Sequence, residues 1–186
     1  MKKITVSAPG KLMLMGEHAV VYNHPCLVTA VDQRMHATVE ILEKGEFQLE
    51  APDVKVTGYK KPIKNLGSGE IPKGAKFVEI AVKNFMEEIA SPNERARNDN
   101  NIGIKVTTKS EFSAQFGFGS SSASTVCVIK ALSELFKLKL TQKEIFDLAY
   151  KTVLDIQGKG SGFDVAAAVY GGTLYFVTFG KIISNV

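Results

Sequence analysis

The chain has 186 residues, 45% apolar and 23% charged, with a net charge of +4 and a mean hydropathy of +0.03. A chain of this size buries roughly 70% of the surface it exposes when unfolded, so the composition excludes a disordered segment, a fibrous repeat and a disulfide mini-protein. The charge balance contains no basic run of the kind that nucleic-acid binders carry.

In chain order, residues 2 to 50 read as strand-rich. ITVSA, KLMLMG and CLVTAV come first, then RMHATVEILEKGEFQLEA, where Gly45 turns between two alternating runs and implies an antiparallel start to a sheet. The basic start Met1-Lys2-Lys3 is followed too soon by Pro9, Gly10 and Lys11 for a signal core to form. Residues 52 to 74 hold three prolines and four glycines and read as loop, with at most a short strand at Val54 to Thr57. A helix is expected from Ala75 to Ile89, with Phe77, Ile80, Ala81, Phe85 and Ile89 on its apolar face. Ser91-Pro92 ends it, and NERARNDNN reads as an exposed, mobile loop.

Ile102 to Thr108 alternates as a strand, and helices follow from Ser121 to Phe136 and from Gln142 to Ile156. Thr141 and Glu144 form a capping-box pair for the second of these. The turn QGKGSG leads into a short helix FDVAAAVY and a final strand TLYFVTF. Strands and helices mix without a regular βαβ alternation, which favours an α+β fold. Cys26 and Cys127 lie among apolar neighbours and read as reduced core thiols of a cytoplasmic protein. No stretch approaches the ~18 apolar residues of a membrane helix, so neither a membrane nor a nucleic acid is an expected partner.

Three segments could carry chemistry. Gly117 to Ser124, GFGSSSAS, lies between a predicted strand and a predicted helix. Glycines admit close backbone approach, and a helix's first turn presents unpaired N–H groups at the positive end of its dipole, which suits a phosphate. The same run is also a plausible plain serine-rich N-cap, and no lysine follows the last glycine as in a Walker loop. In Gly158 to Asp164, three glycines bring Asp164 to a helix N-terminus, either as a favourable charge for the dipole or as a base for a substrate hydroxyl. Lys11, Glu17 and His18 stand beside tight turns, as recognition groups for an anion or as solvated strand-end residues. His24 and His36 read as ordinary surface residues, and no Cys/His cluster has zinc spacing.

Taken in this order, the segments resemble the GHMP kinase superfamily. APGKLMLMGEHAVVYNHP, from Ala8 to Pro25, is similar to the opening signature of the mevalonate kinases. FGFGSSSAS, from Phe116 to Ser124, resembles the superfamily's ATP phosphate loop, with Ser113 and Gln115 where the family usually has Pro and a small residue. SGFDVAAAVYGG, from Ser161 to Gly172, resembles the segment of the catalytic aspartate, in wording closer to the phosphomevalonate kinases.

The resemblance implies an α+β lobe, a mixed or antiparallel sheet with helices packed on one side. It also implies an ATP- and Mg²⁺-dependent phosphotransferase of isoprenoid biosynthesis that acts on mevalonate or, alternatively, phosphomevalonate. On this reading Gly117, Phe118, Gly119, Ser120, Ser121 and Ser122 bind the ATP phosphates, and Ser121 also contacts Mg²⁺. Asp164 is the base, Lys11 keeps it ionised and offsets phosphoryl charge, and Glu17, His18, Ser161 and Gly162 bind the acceptor. Eleven residues before Asp164, where the family carries a Mg²⁺-binding glutamate, stands Val153; Asp155, the nearest carboxylate, points to another helix face. No third glycine-rich motif occurs. Residues 1–186 are therefore expected to form one N-terminal, ATP-binding lobe without a C-terminal lobe, active as it stands or needing a second copy or a separate C-terminal partner.

Overall fold

A computed structural model describes residues 3–90, 102–113, 117–178 and 181–185. Its frame is a seven-stranded sheet built around β2 (Cys26–Leu42). β1 (Lys3–Met15) runs antiparallel along one edge of β2. The other edge is shared: β5 (Gly103–Ser110) pairs with Met35 to Leu42, and β6 (Thr173–Val177) with Cys26 to Thr29. Outside β5 lie β3 (Glu46–Ala51), its one parallel neighbour, and β4 (Val56–Pro62); outside β6 lies β7 (Lys181–Asn185). Between the two partners of β2, residues 30–34 are free to meet the segments that leave β5 and precede β6. Ala30 N–H donates to Gly172 O (2.8 Å), and Glu111 N–H donates to Arg34 O (2.9 Å).

The helices lie on one face, as expected. α2 (Ser120–Leu135) and α4 (Phe163–Tyr170) pack on β1 and β2, and α1 (Lys76–Ala90) and α3 (Gln142–Gln157) cover α2. α2 is thus the central helix, and its buried residues run from Ser122 to Leu135 on nearly every side, as a helix between two layers requires. Phe47, Leu49, Ile104, Val39, Phe85, Ile129 and Leu132 fill the core at no more than 1% exposure. α3 begins with the expected capping box: Glu144 N–H donates to Thr141 Oγ1 (3.3 Å) and Thr141 N–H to Glu144 Oε2 (2.7 Å).

Four expectations need correction. ITVSA and KLMLMG are one strand, because the ladder with β2 continues past Pro9 with a shift of register. The stretch expected to be mostly loop contains β4, an edge strand whose polar Lys60 and Lys61 weaken the alternation and whose Pro62 is tolerable at a strand end. The buried face of α1 is Val78, Ala81, Val82 and Phe85, since the helix packs on both α2 and α3; Phe77 and Ile80 are half-buried. β7 follows the strand expected to be last. NERARNDNN, Gln115, Phe116 and the side chain of Ile89 lie outside the described residues.

Candidate active site

The site is assembled where the β1–β2 ladder slips. Pro9 faces Arg34 but Lys11 faces Ala30, so β2 bends away over residues 31–33. The Lys11 N–H donates to Phe118 O (2.9 Å), which fastens the glycine-rich loop to β1. Such slips commonly re-aim a side chain beside a functional site. Gly10 has no room for a side chain: a Cβ would lie 3.0 Å from Val31 Cγ2 and 3.2 Å from Phe118 O.

Gly119, at φ +75°, turns the loop into α2, and its carbonyl takes the Ala123 N–H (2.9 Å). The preceding helical N–H groups, those of Ser120, Ser121 and Ser122, have no intrahelical acceptor, and a helix end of this kind suits an anion. A Cβ on Gly119 would sit 3.1 Å from Lys11 Cγ and 3.6 Å from Asp164 Cβ, so the lysine and the aspartate flank this glycine.

Asp164 is the second residue of α4, which starts from Gly162 at φ +84°. Asp164 Oδ1 accepts the Val165 N–H (3.0 Å), and Oδ2 accepts the Ser122 hydroxyl (2.6 Å). The turn before it is held by Tyr150, whose hydroxyl donates to Gly160 O (2.7 Å) and whose ring lies 3.0 Å from where a Gly162 Cβ would be. Burial first, and then the negative charge of Asp164, raise the Tyr150 phenol above its ordinary pKa. The Lys11 ammonium lies 5.1 Å from the Phe163 ring centroid. Among the described residues no ion pair joins Lys11 to Asp164.

The structure therefore gathers Lys11, Phe118, Gly119, Ser122, Gly162 and Asp164 from three separate motifs. Glu17 and His18 are exposed, and among the described residues no hydrogen bond or ion pair ties them to this group. The exposed apolar side chains of Leu12, Leu14, Met15, Val21 and Tyr22 flank them in the chain. Burial pushes the Cys127 thiol up to about 12 and the Cys26 thiol up to about 11, so neither is a nucleophile at neutral pH.

One feature of the site has no counterpart in the motifs. A cavity of about 400 Å³ opens beside Ser120, Ser121 and Ser124, and Met35, Ala51, Val54, Phe77 and Val78 supply its apolar wall. Its size and its mixture of apolar surface with a few polar groups match small-molecule sites. Its walls come from segments spread from Met35 to Ser124, so no local pattern signals it. A larger cavity of about 560 Å³, between α1 and α3, lies away from these motifs, and its charged lining includes the pairs Lys83–Glu87 and Lys151–Asp155.

Among the described residues, the family-implied metal donor with a free group is Ser121. Its carbonyl takes the hydroxyls of Ser124 (2.9 Å) and Thr125 (2.8 Å), while its own hydroxyl is not paired in the hydrogen bonds described. Val153 is buried and offers no donor. Asp155 is held by Asn84 (2.8 Å) and Lys151 (3.0 Å), as its helix face predicts. No group of three or more His, Cys, Asp or Glu side chains that could hold a metal occurs among the described residues. This donor set fits a Mg²⁺ ion carried in on nucleotide phosphates, an ion that commonly keeps water and phosphate ligands.

Residues 76–172 match the family described as GHMP kinases N terminal domain. The chain is 32% identical over 180 residues to the mevalonate kinase of Pyrococcus furiosus, covering 94% of this chain and 52% of that protein. Among solved structures, the Methanococcus jannaschii mevalonate kinase superposes with a TM-score of 0.81 at 25% identity, covering 95% of this chain and 54% of that one. The Streptococcus pneumoniae phosphomevalonate kinase, at 20% identity and a TM-score of 0.75 over 95% of this chain and 50% of that one, shares the fold. The chain spans about half the length of the curated relatives it matches. Among the described residues no helix is long and apolar enough to cross a membrane.

Proposed function

The chain belongs to the GHMP kinase family, and we propose that it is an N-terminal, ATP-binding lobe that transfers a phosphoryl group from ATP to the hydroxyl of mevalonate. The observation that carries this reading is the meeting of the α2 N-terminus, Lys11 and Asp164 around Gly119. The free N–H groups of Ser120 to Ser122 bind the ATP phosphates, and the cavity walled by Met35, Val54, Phe77 and Val78 takes the base. Asp164 accepts the proton of the attacking hydroxyl. The new bond joins that oxygen to the γ-phosphorus, the bond from phosphorus to the bridging oxygen breaks, and ADP leaves. Lys11 offsets negative charge on the phosphoryl group, so the protein's part is positioning and electrostatics. Ser121 would hold Mg²⁺, which when bound neutralises charge on the phosphate oxygens. Glu17, His18, Ser161 and Gly162 are assigned to the acceptor by the family likeness.

A coupled ADP-release assay with mevalonate and phosphomevalonate in parallel tests the proposal, with turnover expected for mevalonate. Turnover with phosphomevalonate alone assigns the acceptor to the phosphorylated compound, the alternative that the wording SGFDVAAAVYGG supports. MgATP binding without turnover favours a second reading, a nucleotide-binding module that works with a partner lobe. Val153, which is buried and offers no metal donor, favours that reading. The exposed apolar group around Tyr22 is a surface on which such a lobe could pack.

The cavity assignment has its own test. Val54→Glu places a carboxylate at the cavity wall on a side chain that is already 37% exposed, so the fold should tolerate it. Repulsion from the nucleotide phosphates is expected to weaken MgATP at least ~10-fold by calorimetry. Unchanged affinity would move the base elsewhere.

A further inference from the structure

The three consecutive serines at the start of α2 are equivalent in the sequence, but the helix turns them to different surroundings. Ser120 and Ser121 are half-buried and line the cavity, whereas Ser122 is 1% exposed and points across to α4. Its hydroxyl donates to Asp164 Oδ2 at 2.6 Å, a charge-assisted hydrogen bond of the short, strong kind. On the kinase reading above, on which this inference rests, we infer that Ser122 is a positioning residue for the catalytic base and that its hydroxyl is not a phosphate ligand.

Among the described residues two bonds fix the Asp164 carboxylate: the Val165 N–H on one oxygen and the Ser122 hydroxyl on the other. Each oxygen keeps a further lone pair to accept the substrate proton, so the clamp orients the base without consuming it. Without Ser122 only the bond from the adjacent residue remains, and the carboxylate is free to turn away from the acceptor. The same residue offers its backbone N–H at the phosphate-binding end of α2. Ser122 thus ties the placement of the nucleotide to the placement of the base.

The test compares Ser122→Ala and Ser122→Thr with the unmutated protein by three measurements: steady-state kinetics, MgATP calorimetry and the ¹³C resonance of the Asp164 carboxyl group. In Ser122→Ala, kcat should fall ~10- to 100-fold, the scale of a misplaced reacting group. KM and Kd for MgATP should stay within about twofold, and the Asp164 resonance should move. Ser122→Thr, which keeps the hydroxyl, should return both kcat and the resonance toward the unmutated values. A fall in MgATP affinity matching the fall in kcat makes the hydroxyl a phosphate ligand and overturns the inference, as does unchanged kcat. The resonance needs no turnover. If the unmutated chain phosphorylates neither acceptor, the kinase reading fails by itself, and an Asp164 signal that does not respond to Ser122→Ala overturns the inference separately.

Discussion

Asp164→Asn is expected to lower kcat ~10²- to 10⁴-fold, the usual cost of losing a general base, with MgATP affinity within about twofold. The side chains are nearly the same shape. The amide oxygen can still take the Val165 N–H now bound by Oδ1, and the amide nitrogen can donate to Ser122, whose hydroxyl also accepts. The local fold should therefore survive, and the loss should fall on proton transfer. Removing a negative charge beside the phosphate site should, if anything, favour the nucleotide. Coupled ADP release and calorimetry check the two halves of the prediction. Unchanged turnover would remove Asp164 from the mechanism, and lost nucleotide affinity would make it a binding residue.

The second large effect lies behind the wall of the cavity, in the helix that supplies Phe77 and Val78. Glu79, in the first turn of α1, has no exposed surface, yet its carboxylate accepts three bonds. These come from the Tyr59 hydroxyl (2.6 Å), the Lys61 ammonium (2.8 Å) and the Gly67 N–H (2.8 Å). The cluster ties β4 and the turn at Gly67 to α1, whose first-turn residues Phe77 and Val78 line the cavity. Glu79→Ala removes the counter-charge of an ammonium that is only 13% exposed and leaves it the neutral Ser68 O as acceptor (2.8 Å). Breaking a buried pair in this way is expected to cost about 3–5 kcal/mol in urea unfolding. Glu79→Gln, which keeps the shape, should cost less. A loss below about 1 kcal/mol for Glu79→Ala would mean that the cluster is not a structural clamp.

The cluster also makes stability depend on alkaline pH. Burial, and then the bond to Glu79, raise Tyr59 above its ordinary value of 10.0. For Lys61, burial acts to lower the pKa, but its bonds to Glu79 and Tyr59 outweigh it and leave the group above 10.5. Both groups hold their protons more tightly in the folded chain than in the unfolded one. Their contribution is therefore complete below about pH 10 and is lost as pH rises through the raised folded values. The unmutated protein should lose stability above about pH 10 more steeply than Glu79→Ala does.

Local signals were sufficient for much of this structure. Thr141 and Glu144 announced the start of α3, and FDVAAAVY between glycines marked α4 to the residue. The three motifs pointed to the candidate site because glycines and a helix start have a direct chemical meaning near phosphate. What depended on tertiary contacts was less visible. β4 is an edge strand with polar outward residues, and α1 had to satisfy neighbours on two sides, so its apolar stripe misplaced the buried face. The serine run gave no sign of which hydroxyl meets Asp164, because that depends on helix phase against α4. No local pattern marks Glu79 as buried, because its partners Tyr59, Lys61 and Gly67 come from β4 and the turn that follows it.

The central claim is that the N-terminus of α2 and the adjoining cavity form a nucleotide site next to Asp164. Titration calorimetry of MgATP into the 186-residue chain tests it most directly, alongside Val54→Glu and Asp164→Asn. The account predicts saturable binding of one nucleotide per chain, weakened at least ~10-fold by Val54→Glu and nearly unaffected by Asp164→Asn. No binding by the unmutated chain, or binding indifferent to Val54→Glu, would contradict it.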